Sequence, residues 1–211
     1  MDRRTLAALV SAAVLLGVAT EARAIVWDFS NPSGPNGSTA PYTASGVTIS
    51  LSAFIDSATP GILWGKQGAG TQHGVGVCST NTTGCAGEIQ PGNFIRIDLG
   101  NQGLTNLRIQ IGSVGEGESF SILTSGDSSL PGATPCVSNG TTEAPFALAC
   151  SGGVKNFLFV EDGASGGVLL SGLQADLVAN PEPATLLLVG SGLVALGGVG
   201  LGRLRRRKPI V

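Results

Sequence analysis

Serine, carboxylates, cysteines and a lone histidine are the side chains here that could do chemistry. Gly163-Ala164-Ser165-Gly166-Gly167 has the G-x-S-x-G form of a nucleophile elbow, in which a tight turn from strand to helix lifts the serine hydroxyl clear of a sheet. That chemistry needs a helix after the turn and a histidine later in the chain. Val168 to Leu170 reads as another strand, and His73, the only histidine, precedes the serine. The match is read as a hairpin turn. Paired carboxylates could cleave a glycosidic bond, and the candidate pairs are Glu116 with Glu118 and Glu161 with Asp162. Gly115, Gly117, Gly126 and Gly163 surround them, which points to solvated loops and not to rigidly held carboxyls. Gly112-Ser113-Val114-Gly115-Glu116-Gly117 is glycine-rich but lacks the lysine and helix of a phosphate loop. No catalytic residue is assigned, and an extracellular hydrolase is the least favoured function.

The cysteines are better placed for structure than for catalysis. Cys78, Cys85, Cys136 and Cys150 are an even set whose spacing is not that of a zinc site, so disulfides are expected. Short loop closure favours Cys78–Cys85 and Cys136–Cys150 over the two alternative pairings. Asp28, Asp127 and Asp162 could ligate calcium, but without a clustered D-x-D-x-D pattern no metal or cofactor is assigned. Trp27, Tyr42 and Trp64 could stack on sugar rings. With ten aromatic residues in the chain, core packing is the stronger claim on them.

The elements that must position these groups alternate with a period of two. Val47-Thr48-Ile49-Ser50-Leu51-Ser52 alternates strictly, Ile95, Ile97 and Leu99 share one face, and Leu107, Ile109 and Ile111 share another. Phe120 with Ile122, the run Phe157 to Val160, and Leu173 with Ala175 and Leu177 supply further strands. Turn signals separate them at Asn36-Gly37, Pro60-Gly61, Pro91-Gly92, Gly126-Asp127, Pro131-Gly132, Asn139-Gly140 and Ser151-Gly152-Gly153. The Gly/Pro/Ser/Asn-rich segment Asn31 to Pro41 is expected to be a loop. No window shows a helical stripe and no internal repeat is present. The expected architecture is all-β, an antiparallel two-sheet sandwich spanning residues 25–179.

Both ends of the chain read as targeting segments. Arg3 and Arg4 precede the apolar Leu6 to Val18, and Ala22-Arg23-Ala24 fits small-x-small cleavage, so residues 1–24 form a signal peptide and the mature chain starts at Ile25. The arginine pair faintly resembles a twin-arginine signal, but ordinary secretory export is the simpler reading. At the other end stand Pro181-Glu182-Pro183, the apolar run 184–202, and the basic Arg203, Arg205, Arg206, Arg207 and Lys208. A nineteen-residue helix would be roughly 28 Å long, enough to cross a hydrocarbon core of roughly 30 Å. The basic cluster would hold its end on the cytoplasmic side as a stop signal. Between Ile25 and Asn180 four basic residues face eleven acidic ones, a net charge of −7 hidden within the −2 of the whole chain. That excludes nucleic acid as a partner, since binding it needs a basic patch.

Residues 180–211 resemble a PEP-CTERM sorting signal, carried by Pro181-Glu182-Pro183-Ala184-Thr185, the glycines at 190, 192, 197, 198 and 200, and the cluster from Arg203 to Lys208. The resemblance implies export, tethering by the C-terminal helix, and cleavage near Pro181-Glu182-Pro183 by an exosortase. The partners it implies are that enzyme, signal peptidase, the membrane and exopolysaccharide, and the destination is the cell surface or the extracellular matrix. Gly74-Val75-Gly76-Val77, Glu88-Ile89 and Ile95-Arg96-Ile97-Asp98-Leu99 are similar to a segment common in such exported proteins, with Asn93 and Gly100 departing from its acidic and aromatic positions. Phe157 to Val160 and Val168 to Leu173 also resemble the closing strands of those domains, which are jelly-roll-like. Three functional classes follow: a noncatalytic surface or matrix protein, a carbohydrate-binding sandwich, and the hydrolase. Competition by free sugar on a glycan array separates the second from the first, and activity lost on a Glu→Gln change would raise the third.

Overall fold

Alternating segments form pleated strands whose apolar side chains share one face. The computed structural model describes residues 23–177 apart from 57, 71, 80–84, 151 and 164–165. The chain begins with β1 (Arg23–Asp28), β2 (Gly34–Pro35), β3 (Thr39–Ala44) and β4 (Val47–Phe54). It continues through β5 (Ile62–Gln67), β6 (His73–Cys78), β7 (Phe94–Asp98) and β8 (Leu104–Gly112). Then follow β9 (Phe120–Ser125), β10 (Thr134–Gly140), β11 (Phe146–Ala147), β12 (Phe157–Asp162) and β13 (Leu169–Leu177). Val47, Ile49 and Leu51 are buried while Thr48 is exposed; in β8, Leu107, Ile109 and Ile111 are buried between exposed Arg108 and Gln110.

Two antiparallel sheets form a β-sandwich. Sheet A runs β11-β8-β13-β6-β5-β2, with β1 also pairing with β13; sheet B runs β10-β9-β12-β7-β4-β3. Their inner faces meet in one hydrophobic cluster, with Ile49, Ile97, Ile122 and Leu158 from sheet B against Leu63, Val75, Ile109 and Leu173 from sheet A. Fully burying a side chain of this kind contributes about 1.5–3 kcal/mol before conformational entropy is counted. The last two strands enter the middle of the sheets: β12 lies between β9 and β7, and β13 between β8 and β6. Among the described residues there is no helix, and none long and apolar enough to cross a membrane. The apolar run 184–202, Pro181-Glu182-Pro183, the basic cluster, and the signal segment through Ala22 all lie outside the described residues.

Several sequence expectations change. Asn31 to Pro41 is not a plain loop: β2 pairs with β5 through Gly34↔Gly65 and Pro35↔Trp64, and β3 opens within the segment at Thr39. Both strands lie at sheet edges, where proline's missing N–H removes no ladder bond. A Cβ on Gly65 would collide with the Pro32 carbonyl group and come within 2.6 Å of Ser33 N, so glycine there admits the crossing chain. Asn139-Gly140 does not reverse the chain; it sits in β10 beside a register shift, with Asn139 at φ +54°, a bulge that twists an edge. Pro60-Gly61 is not a turn either: Pro60 bridges Phe54 antiparallel and Gly61 N–H donates to Ala53 O (2.8 Å). The other two Pro-Gly pairs do make turns. Asn93 N–H donates to Gln90 O (2.9 Å) and Ala133 N–H to Leu130 O (3.0 Å), with Gly92 and Gly132 at φ +84° and +83°, as type II turns require.

Both expected disulfides are present, Cys78–Cys85 and Cys136–Cys150. Sheet B also carries a small apolar cluster on its outer face. Phe54 and Phe94 stack at 4.7 Å between ring centroids, Phe159 lies 5.8 Å from Phe94, and the Arg96 guanidinium sits 5.1 Å from the Phe54 centroid. Arg96 Nη1 donates to Ser128 O at 2.8 Å, fixing the cation over the rings.

Candidate functional site

The candidate catalytic groups are not assembled. Glu161 and Asp162 are successive residues of β12, so the pleat sends them to opposite faces: Glu161 is half-buried and Asp162 buried. Burial raises the Glu161 carboxyl above its ordinary value. Glu116 is exposed, whereas Glu118 folds back so that Oε2 accepts Gly115 N–H at 2.5 Å. The G-x-S-x-G segment carries the chain from β12 in sheet B to β13 in sheet A. It is an inter-sheet crossover and not a hairpin, pinned by Gly163 N–H donating to Ser119 O (2.8 Å); Ser165 itself is outside the described residues.

The calcium candidates are likewise dispersed. Asp28 is in sheet A, while Asp162 opposes Phe120 at one end of β9 and Asp127 follows Ser125 at the other, roughly 16 Å or more along the strands. Among the described residues no group of three potential ligands converges on a metal position. The aromatic candidates pack. Trp27 is buried with Nε1–H donating to Val47 O (3.2 Å), Tyr42 meets Phe29 edge-on at 4.8 Å, and the Trp64 ring lies against Gly87.

Glu88 serves as a latch. It pairs with Lys66, accepts from Gln90 Nε2 (3.5 Å) and Ser113 Oγ (3.4 Å), and lies beside Gly167. The adjoining backbone ties in through Ile89 N–H to Val168 O (2.8 Å) and Val77 N–H to Glu88 O (3.3 Å). The Gly74-Val75-Gly76-Val77 stretch is β6 itself, and Gly76 is where the 87–88 backbone crosses it.

The one large concavity among those described is an open groove of about 650 Å³ on the outer face of sheet A, a volume typical of ligand sites. Three strands build it: β8 presents Arg108 and Gln110, β13 presents Gln174 and Gly172, and β1 presents Asp28 and Val26. Register sets Gln174 opposite Arg108 and Gly172 opposite Gln110. Glu143 and His73 stand at its margins. The groove groups are held in place: Ser30 N–H donates to Asp28 Oδ1 (2.8 Å), Arg108 Nη2 to Pro145 O (3.1 Å), and Val114 N–H to Glu143 Oε1 (2.9 Å). The side-chain and backbone hydrogen bonds from Ser30 hold the Asp28 carboxyl below its ordinary value. Period two had put Arg108 and Gln110 outward, but Asp28, Glu143 and Gln174 lie far apart in sequence and no local motif announces them.

No family model, curated protein or solved structure matches this chain.

Proposed function

We propose that this protein is exported, sorted by an exosortase, and acts without catalysis at the cell surface or in an exopolysaccharide-containing matrix. The observation that carries the reading is the order of signals at the C-terminus: Pro181-Glu182-Pro183, an apolar run of membrane-spanning length, and a basic stop cluster. A domain closed by two disulfides supports an oxidising destination, and a jelly-roll-like lineage for its sandwich belongs to the same proposal. Signal peptidase acting after Ala24 and the exosortase acting near Pro181 would leave a mature species that begins at Ile25 and lacks the apolar helix. Intact mass of protein from native surface fractions tests this. Recovery of only tail-bearing protein from exosortase-positive cells would sink it.

A second reading, a carbohydrate-binding module, is favoured by the polar groove on sheet A. Glycan-array binding competed by free sugar distinguishes it from a purely structural role.

A further inference from the structure

The outer face of sheet A carries more hydrogen-bonding capacity than the fold uses. Gln110 and Gln174 make no hydrogen bond within the described protein through their side-chain amides, although both line the groove. Arg108 spends one nitrogen on Pro145 O and Asp28 one oxygen on Ser30. A guanidinium has five donors and a carboxylate about four acceptor positions, so most of the Arg108 donors remain available, as does part of the Asp28 acceptor set beyond its two hydrogen bonds from Ser30. The groove floor is open at Gly172, where an added Cβ would lie 3.5 Å from Trp27 O and 3.8 Å from Gln110 Cβ. Glycine is not needed there for packing, and its lack of a side chain deepens the groove.

We propose that this groove is a binding subsite for an uncharged polysaccharide chain, with Gln110, Gln174 and Arg108 on its floor and Asp28 at its edge. The assignment rests on the carbohydrate-binding reading above and gives it residues and a ligand class. Sugar hydroxyls both donate and accept, and the two glutamine amides offer both functions side by side on neighbouring strands. A polyanion is disfavoured. Asp28 and Glu143 outnumber Arg108 in the groove, within a domain of net charge −7, and like charge costs affinity. An apolar ligand is disfavoured too, since Val26, at 54% exposure, is the one exposed large hydrophobic side chain described. Binding would be hydrogen-bonded and not stacked, because the groove presents no aromatic face; Trp27, the sole aromatic that touches it, is buried.

Native affinity electrophoresis of the full chain in mild detergent, through gels containing dextran, galactomannan or alginate, tests the assignment. At least one neutral polymer should retard the protein, and alginate should not. Gly172→Val, which fills the floor, and the double change Gln110→Ala/Gln174→Ala should each weaken retardation at least tenfold with an unchanged circular dichroism spectrum. Should Gly172→Val fail to fold, the glutamine pair, exposed and half-buried, decides alone. No retardation by either neutral polymer, retardation of the variants equal to that of the parent, or stronger retardation by alginate overturns the proposal. The sorting reading would survive that result, because intact mass alone decides it.

Discussion

Two glycines in neighbouring strands of sheet A should respond oppositely to the same substitution. A Cβ on Gly76 would collide with Gly87 O and come within 2.6 Å of Glu88 Cα, both backbone atoms that cannot rotate away. Gly76→Ala must push the 87–89 segment off β6. That displaces the Val77 N–H to Glu88 O and Ile89 N–H to Val168 O bonds, each worth about 1 kcal/mol net. It also strains the Lys66–Glu88 pair, partly exposed and worth up to about 1 kcal/mol. The expected loss is about 3 kcal/mol, which for a domain of this size lowers Tm by about 6–12 °C. Gly172→Ala meets only ordinary contacts at 3.5 and 3.8 Å. It should be neutral or stabilise by about 0.5 kcal/mol through reduced freedom of the unfolded chain. Urea unfolding without reductant, followed by near-UV circular dichroism, measures both. If Gly76→Ala lies within 0.5 kcal/mol of the parent, or Gly172→Ala costs as much as Gly76→Ala, the close backbone crossing does not govern this region.

Replacing Cys136 and Cys150 together by alanine should cost about 3 kcal/mol in the chain-entropy model, and replacing Cys78 and Cys85 about 2.5 kcal/mol, the difference following from sequence separations of 14 and 7; equal midpoints for parent and variants would refute it. Hydrogen bonds from Ser30 depress the Asp28 carboxyl, and those from Thr59 and Ala58 depress Asp56, so their contribution is present above the ordinary carboxylate pKa and lost as pH falls through the folded value. Asp28→Asn and Asp56→Asn should therefore flatten the fall in Tm below about pH 4. Glu161 is raised by burial, so its contribution is present at low pH and lost as pH rises through the folded value. Glu161→Gln should raise stability at pH 7, by no more than about 0.5 kcal/mol, and leave it unchanged at pH 3; a loss at pH 7 would contradict this. Changing Arg203, Arg205, Arg206, Arg207 and Lys208 to glutamine should release tail-bearing protein into the medium, because each basic residue near an anionic leaflet contributes roughly 1 kcal/mol. Anchoring and trimming like the parent, seen by cell fractionation, would rule out the stop signal.

The core was legible because period two is a local signal: β4, β7 and β8 each announce their buried face within a few residues. Disulfide pairing was legible for a similar reason, as short loops close first. What depends on distant chain was not. Phe94 and Phe159 share the outer face of sheet B with Arg96, yet both are buried, because rings from three strands stack there and the guanidinium lies against them. The edge strands at Gly34–Pro35 and Thr39–Ala44 were hidden by residues that usually mark loops, since edge positions tolerate proline. The groove draws on β1, β8, β13 and the segment before β11, so its members meet only after the sheets have formed.

The central placement of β12 and β13 sets a timetable for folding. A chain delivered from its N-terminus presents β7 and β9 before the strand that joins them, and β6 and β8 before theirs. Until Asp162 arrives sheet B is split down its middle, and until Leu177 arrives sheet A is, with open edges that invite wrong pairing. Both disulfide loops lie wholly upstream of β12, so they can close while the halves are still separate and narrow the search that remains. The final strand then works as a zipper slide that joins both halves of sheet A at once. A truncation that removes β13 should leave a chain with its disulfides intact and no cooperative core.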